Sequence, residues 1–143
     1  MIRMIPGLGA AEFLRFGSIH RNAYVNSPRA LTAYLSAKDD PLLLFAGQLT
    51  GVEGYTESLG TGLLAGINLH RVLTGRPIAV PPPTTMLGGL YRYLRDSPPA
   101  HFQPMSANFG LLDPLPDGVK KADRRAALVE RAERDFAAWR ASL

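Results

Sequence analysis

Hydrophobic and polar positions along the chain fall into blocks of different period. Leu42-Leu43-Leu44-Phe45-Ala46 is a continuous apolar run that follows the turn chemistry of Lys38-Asp39-Asp40-Pro41, the pattern of a strand buried on both faces of a sheet. Upstream, Leu31, Ala33 and Leu35 alternate with other residues. Glu12 to Asn26 carries Phe13, Phe16, Ile19, Tyr24 and Val25 around Gly17, which predicts one or two short strands bent at the glycine. After the apolar run come Gly47, Gly51 and Gly54, and then nineteen residues without proline, Tyr55 to Leu73. Leu59, Leu63, Ala65, Ile67, Leu69 and Val72 predict a helix there, with Thr50-x-x-Glu53 as a capping box and Gly75 at the far end. Gly60, Gly62 and Gly66 each cost such a helix about 1 kcal/mol against alanine, so close backbone approach to the sheet is expected.

Val80-Pro81-Pro82-Pro83 is extended, Thr84 is placed to cap a second helix running to about Arg95, and Ser97-Pro98-Pro99 ends it. His101 to Gly118 reads as an ordered loop anchored by Phe102, Met105, Phe109, Leu111 and Leu112, and Met1 to Ala11 as a loop broken by Pro6-Gly7 and Gly9. From Lys120 to Ser142, Val129, Ala132, Phe136 and Trp139 recur at steps of three, four and three, with Glu130/Arg134 and Arg131/Asp135 four apart. That is a terminal amphipathic helix whose apolar stripe is expected to be buried. The strand, glycine turn and helix order gives an α/β class.

The chain has 143 residues, 46% of them hydrophobic, the size of one domain with a core of its own. It contains no cysteine, which excludes disulfides, thiolate metal sites and a cysteine nucleophile on this chain. A net charge of +4 permits contact with a polyanion without demanding it. No apolar run approaches the roughly 20 residues of a membrane span, and the first residues are too short for a signal-peptide core, so a soluble, intracellular protein is expected.

The sharpest chemical signal lies between Leu42 and Gly66. A buried strand feeding a glycine turn and a helix N-terminus makes a crevice for an anion, a ribityl chain or the carbonyl edge of a flavin. Gly47-x-x-x-Gly51-x-x-Gly54 is not the G-x-G-x-x-G fingerprint, and on its own it fits a structural turn equally well. Gly7-Leu8-Gly9-Ala10-Ala11 has no preceding strand and no acidic ribose acceptor, and is rejected as that fingerprint. His20-Arg21-Asn22 offers a proton carrier and an anion clamp, or an ordinary structural histidine. His70 and His101 stand apart from any carboxylate cluster, so no metal site is expected, and no serine elbow is present. Lys120-Lys121-Ala122-Asp123-Arg124-Arg125 reads as a nucleic-acid contact or as the solvated start of a helix.

Met4-Ile5-Pro6-Gly7-Leu8, Ala11-Glu12-Phe13, His20-Arg21-Asn22, Asn26-Ser27-Pro28, Phe45-Ala46-Gly47-Gln48-Leu49-Thr50-Gly51-Val52-Glu53-Gly54-Tyr55, Gly66-Ile67-Asn68 and Phe102-Gln103-Pro104-Met105 together resemble the C-terminal third of the TrmFO family. These are folate- and FAD-dependent tRNA (uracil-5-)-methyltransferases that form ribothymidine in the T-loop, related to the GidA flavoproteins of wobble-uridine modification. The resemblance implies the C-terminal part of a Rossmann-like FAD-binding fold, without its N-terminal dinucleotide-binding half. Residues 1–41 would be strands and loops at the domain junction, 42–75 the flavin-facing unit, and 76–143 a C-terminal helical extension. It implies methylenetetrahydrofolate as carbon donor, FAD as the hydride carrier and NAD(P)H as reductant. The partners would be tRNA and the missing N-terminal FAD-binding portion, in the cytoplasm.

Carried over residue by residue, Gly47 and Gln48 would lie at the flavin. With Gly51 behind them in the turn, the amides of Val52, Glu53 and Gly54 would face its ring edge or ribityl chain, and Tyr55 would stack on it. His20, Arg21 and Asn22 match a family segment without assigned roles. The family's fingerprint for the ADP half of FAD and its cysteine chemistry toward uracil are absent from this sequence. A fragment inactive alone is therefore expected, with a GidA-like wobble modifier or a non-catalytic tRNA- or nucleotide-binding module as alternatives.

Overall fold

In the computed structural model, residues 2–13 and 22–143 are described. His20, Arg21 and most of the strand expected between Glu12 and Asn26 lie outside them, and residues 22–26 have no regular structure. Four α-helices organise the described residues: α1 (Ser27–Ala30), α2 (Tyr55–Leu73), α3 (Met86–Asp96) and α4 (Arg124–Ala141). Short 3-10 turns precede α2 and flank the segment that follows α3.

The expected strand at Leu42 to Ala46 is corrected by the structure. Among the described residues β pairing is limited to the isolated bridges Leu31 to Ala37, Ser36 to Leu44 and Val52 to Met105. The Lys38-Asp39-Asp40-Pro41 turn is where the sequence placed it, but Leu42 and Leu43 stand out in solvent on its far side. Apolar content did not make this segment a strand because no neighbouring ladder satisfies its backbone. Pairing is confined to a few bonds, such as Ala37 N–H to Leu43 O at 2.8 Å and Phe45 N–H to Leu35 O at 2.8 Å. Leu35, at φ 65°, accepts a left-handed backbone that L residues usually avoid, and its side chain is buried in the core.

Helix α2 has the predicted bounds and a different start. Thr50 and Glu53 do not form a capping box: Gly54 is the N-cap, no side chain caps it, and the Thr50 hydroxyl donates instead to Gly47 O at 2.8 Å. At the other end Gly75, at φ 66°, closes the helix as foreseen. Gly75 N–H donates to Val72 O at 3.2 Å and Arg76 N–H to Arg71 O at 2.8 Å, a paired C-terminal closure that a residue with positive φ permits. The close approach expected at its three glycines is found at Gly60, where a Cβ would meet Leu87 at 3.2 Å, while Gly62 and Gly66 face open space.

The interior of α2 is held by polar groups. Asn68 is fully buried and clamps Ala79 from both sides, donating from Nδ2 to Ala79 O at 2.9 Å and accepting from Ala79 N–H at 2.6 Å. This pair ties the extended segment before α3 to the helix. Thr85, not Thr84, caps α3, accepting from Gly88 N–H at 3.1 Å. Thr84 donates to Asp135 of α4 at 2.8 Å.

Leu31, Leu35, Val52, Leu64, Leu90, Tyr91, Leu94 and Phe102 form one core, drawn from all three segments that the sequence distinguished. Helix α4 lies against this body without a buried residue of its own. Val129 and Phe136 are exposed, which corrects the buried stripe, and only Trp139 reaches the core. Polar tethers hold α4 instead: Arg131 Nη1 donates to Pro114 O at 2.8 Å, and Asp135 takes the Thr84 hydroxyl. The expected four-apart pairing of Arg131 with Asp135 gives way to an ion pair between Arg134 and Asp135 at 3.1 Å.

These contacts generate two predictions. A Cβ on Gly88 would lie 1.9 Å from Pro82 O, so Gly88→Ala must displace α3 or the proline segment. Gly62→Ala meets nothing and should stabilise the chain by up to about 1 kcal/mol through helix propensity. Urea denaturation should move the two midpoints in opposite directions. The Asp135 carboxyl is held below the usual carboxylate range, chiefly by the Thr84 hydroxyl and secondarily by Arg134. A depressed carboxylate contributes stability at pH values above its unfolded pKa of about 3.9, and loses it as pH falls through its lower folded value. The melting temperatures of wild type and Asp135→Asn should differ by a constant amount above about pH 4 and converge in stronger acid.

Candidate functional site

The turn between the 42–46 segment and α2 is built by backbone geometry. Gly47, Gly51 and Gly54 have φ values of 63°, 86° and 107°, a region that glycine occupies without strain. Gly47 N–H donates to Thr61 Oγ1 at 2.9 Å, so the start of the turn is fixed to the second turn of α2. Gly51 is buried against Phe102, where a Cβ would fall 2.6 Å from the ring. Met105 N–H donates to Gly51 O and Glu53 N–H to Met105 O, both at 2.9 Å, so the 102–105 segment runs beside Gly51–Glu53 as a short parallel bridge.

Against this bridge opens a cavity of about 420 Å³ lined by Asn22, Tyr24, Gln48, Val52, Glu53, Gln103 and Pro104. Of the sequence-predicted positions, Gln48, Val52 and Glu53 line it, together with Asn22 from the segment without assigned roles. Gly47 and Gly51 are structural supports behind the wall. Gly54 starts α2, where its carbonyl accepts from the Ser58 hydroxyl at 2.8 Å, and Tyr55 stands 89% exposed at the head of the helix. One expected role is narrowed: the Glu53 amide is taken by Met105. The N-terminus of α2 has no side-chain cap, and its first-turn amides carry the positive end of the helix dipole. Glu57 of that turn folds back over Gly54, its carboxylate filling the space a Gly54 side chain would take, while its Oε1 accepts from Ala107 N–H at 3.0 Å.

Tyr24, Gln103 and Pro104 are wall residues that pattern reasoning passed over. Gln103 and Pro104 belong to a block singled out only by resemblance, in a loop without periodicity. Tyr24 packs edge-on to Phe102 with centroids 6.0 Å apart, and Tyr93 lies on the same ring at 5.9 Å. An aromatic cluster thus backs the cavity. Lys120 and Lys121 are exposed before α4, while Arg125 sits over the Phe109 ring at 5.4 Å. Among the described residues no three metal-ligating side chains cluster, and no helix is long and apolar enough to cross a membrane.

Comparison with known proteins adds to this geometry. The chain is 52% identical over all 143 residues to the methylenetetrahydrofolate--tRNA-(uracil-5-)-methyltransferase TrmFO of Geobacter sulfurreducens, covering 33% of that protein. It is 50% identical over 136 residues, 95% of the chain, to the protein of the same name from Geotalea daltonii, covering 31% of it. The Syntrophus aciditrophicus protein of that name is 47% identical over 139 residues, 97% of the chain and 32% of the relative. The chain therefore spans about a third of the length of the curated relatives it matches. A family model described as "Glucose inhibited division protein A" matches residues 1–77, a stretch that contains the whole glycine turn and α2. On this match, which takes in more than half of its length, the chain belongs to the glucose inhibited division protein A family.

Proposed function

We propose that the chain supplies the flavin-facing wall of a TrmFO-type tRNA (uracil-5-)-methyltransferase, as the C-terminal part of its Rossmann-like FAD-binding fold. The observation that carries this reading is the cavity beside the glycine turn. Its lining comes from three blocks far apart in sequence, Asn22 to Tyr24, Gln48 to Glu53 and Gln103 to Pro104, and it lies close to the head of α2.

The residues present fit a flavin. The amides of the first turn of α2 are donors without a side-chain cap, suited to the carbonyl edge of the ring, with the Glu57 carboxylate folded over Gly54 beside them. Gln48 offers both a donor and an acceptor and Glu53 an acceptor. Tyr55, exposed beside them, presents a face on which a planar ring stacks. When bound, FAD would supply the hydride, with methylenetetrahydrofolate providing the carbon and NAD(P)H the reducing equivalents. Asn22 and Gln103, which line the same cavity, offer amide groups to the edge of a second heterocycle. Exposed Lys120 and Lys121 give tRNA phosphates a salt-sensitive contact.

A chimera tests this, made by putting the present chain in place of the matched third of the Geobacter sulfurreducens protein. It should retain FAD and form 5-methyluridine in unmodified tRNA, scored by mass spectrometry, whereas the 143-residue chain alone should form none. Gly54→Val crowds the head of α2 at φ 107° and should lower flavin retention at least about tenfold, a loss of roughly 1.4 kcal/mol of binding. Full flavin content in that variant would refute the assignment, and modification at the wobble position would favour the GidA-like alternative.

A further inference from the structure

Helix α2 shows solvent the wrong face. Tyr55, Leu59, Leu63 and Leu73 are 89%, 76%, 68% and 66% exposed, while Thr61 and Asn68 are fully buried on the opposite side. With Gly62 and Gly66 between them, the exposed residues follow one another at helical spacing along roughly 27 Å of a single stripe. The stripe carries no Lys, Arg, Asp or Glu, and the exposed His70 interrupts it between Gly66 and Leu73. A helix bordering water normally has the reverse arrangement, and an exposed apolar patch of this kind marks a surface that is covered in the working protein.

The centre of the stripe is shaped for close contact. A Cβ at Gly62 or Gly66 would meet no atom within 4 Å, so the helix backbone itself is open there. Beside it runs a shallow groove of about 590 Å³, with Gly62, Leu63, Gly66 and Ile67 of α2 on one side and His70, Arg71, Arg76 and Leu143 at its other margin. Glycine costs an exposed helix stability against alanine, so two of them on this face are explained by an element that approaches closer than a side chain would allow.

We propose that this face of α2 docks the part of a TrmFO-type chain that lies outside the third matched here, through an apolar helix or strand seated over Gly62 and Gly66. The relatives select this occupant. The Geobacter sulfurreducens protein matches the present chain over its entire length at 52% identity and yet is covered for only 33% of its own, so two thirds of that protein have no counterpart here to lie on the stripe. The stripe begins at Tyr55, beside the cavity, which places the docked part next to the proposed flavin wall. The inference rests on the kinship of the chain and not on the flavin.

The absence of cysteine from this sequence makes a thiol introduced on the face the one reporter on the chain. The tagged chain is co-expressed with the remaining two thirds of the Geobacter sulfurreducens protein. The two should co-purify, Leu63→Asp should abolish the complex, and Leu42→Asp, at an exposed leucine elsewhere, should leave it intact. In the complex the thiol of Leu63→Cys should react with a maleimide at least about tenfold more slowly than in the isolated chain, with the tagged chain read by mass. Glu133→Cys on the exposed side of α4 should be unchanged. Failure to co-purify, or equal labelling of Leu63→Cys free and bound, would overturn the proposal. So would labelling in the isolated chain that slows as its concentration rises, since that assigns the face to a second copy. A complex that forms and protects position 63 without retaining FAD would uphold the docking face and count against the flavin wall.

Discussion

Gly51 lies so close to the Phe102 ring that no side chain fits between them, and two backbone hydrogen bonds to Met105 fasten the same stretch from its other edge. This contact joins segments fifty residues apart and sets the position of both walls of the cavity. Phe102 in turn carries Tyr24 and Tyr93 on its ring and belongs to the same core as Leu90 and Leu94 of α3. Moving Gly51 would therefore shift the turn, the aromatic backing and the 102–105 segment together.

Buried polar groups do the work that a sheet would do in a larger α/β body. Ser27 donates to Thr50 O at 2.6 Å, Gly47 N–H reaches Thr61, and Asn68 binds both backbone groups of Ala79. Each such pair is directional, and leaving one half unmade in the interior costs more than the net gain of making it. They fix which side of α2 faces inward even though that side is the less apolar one. Leu64 stays in the core, and Leu59, Leu63 and Leu73 are left outside as a consequence.

Helix α2, its glycine closure, the extended proline segment, α3, the irregular 101–118 stretch and α4 were legible because each carries local chemistry: nineteen residues without proline, a glycine at the C-terminus, consecutive prolines, a three-four spacing. The Leu42 to Ala46 strand was misread. An apolar run states what a segment can bury, not whether a ladder lies beside it, and here the backbone has only isolated bridges to join. The α4 stripe was overread in the same way, since Val129 and Phe136 have the right spacing and no surface above them. Gln48, Val52 and Glu53 were legible through the glycine turn and the resemblance around it. Tyr24, Gln103 and Pro104 were not, because the contact that brings them to the wall, Gly51 on Phe102, is a long-range fit of a missing side chain to a ring and leaves no periodic trace.

Native-state hydrogen exchange resolved to single amides tests the Gly51 and Phe102 junction most directly. The account predicts that the Glu53 and Met105 amides, paired across the bridge, exchange at least about a hundredfold more slowly than the exposed amides of residues 117–121, a protection of roughly 2.7 kcal/mol. Exchange of Glu53 and Met105 as fast as that exposed stretch would mean that the bridge is open in solution and that the cavity wall does not rest on it.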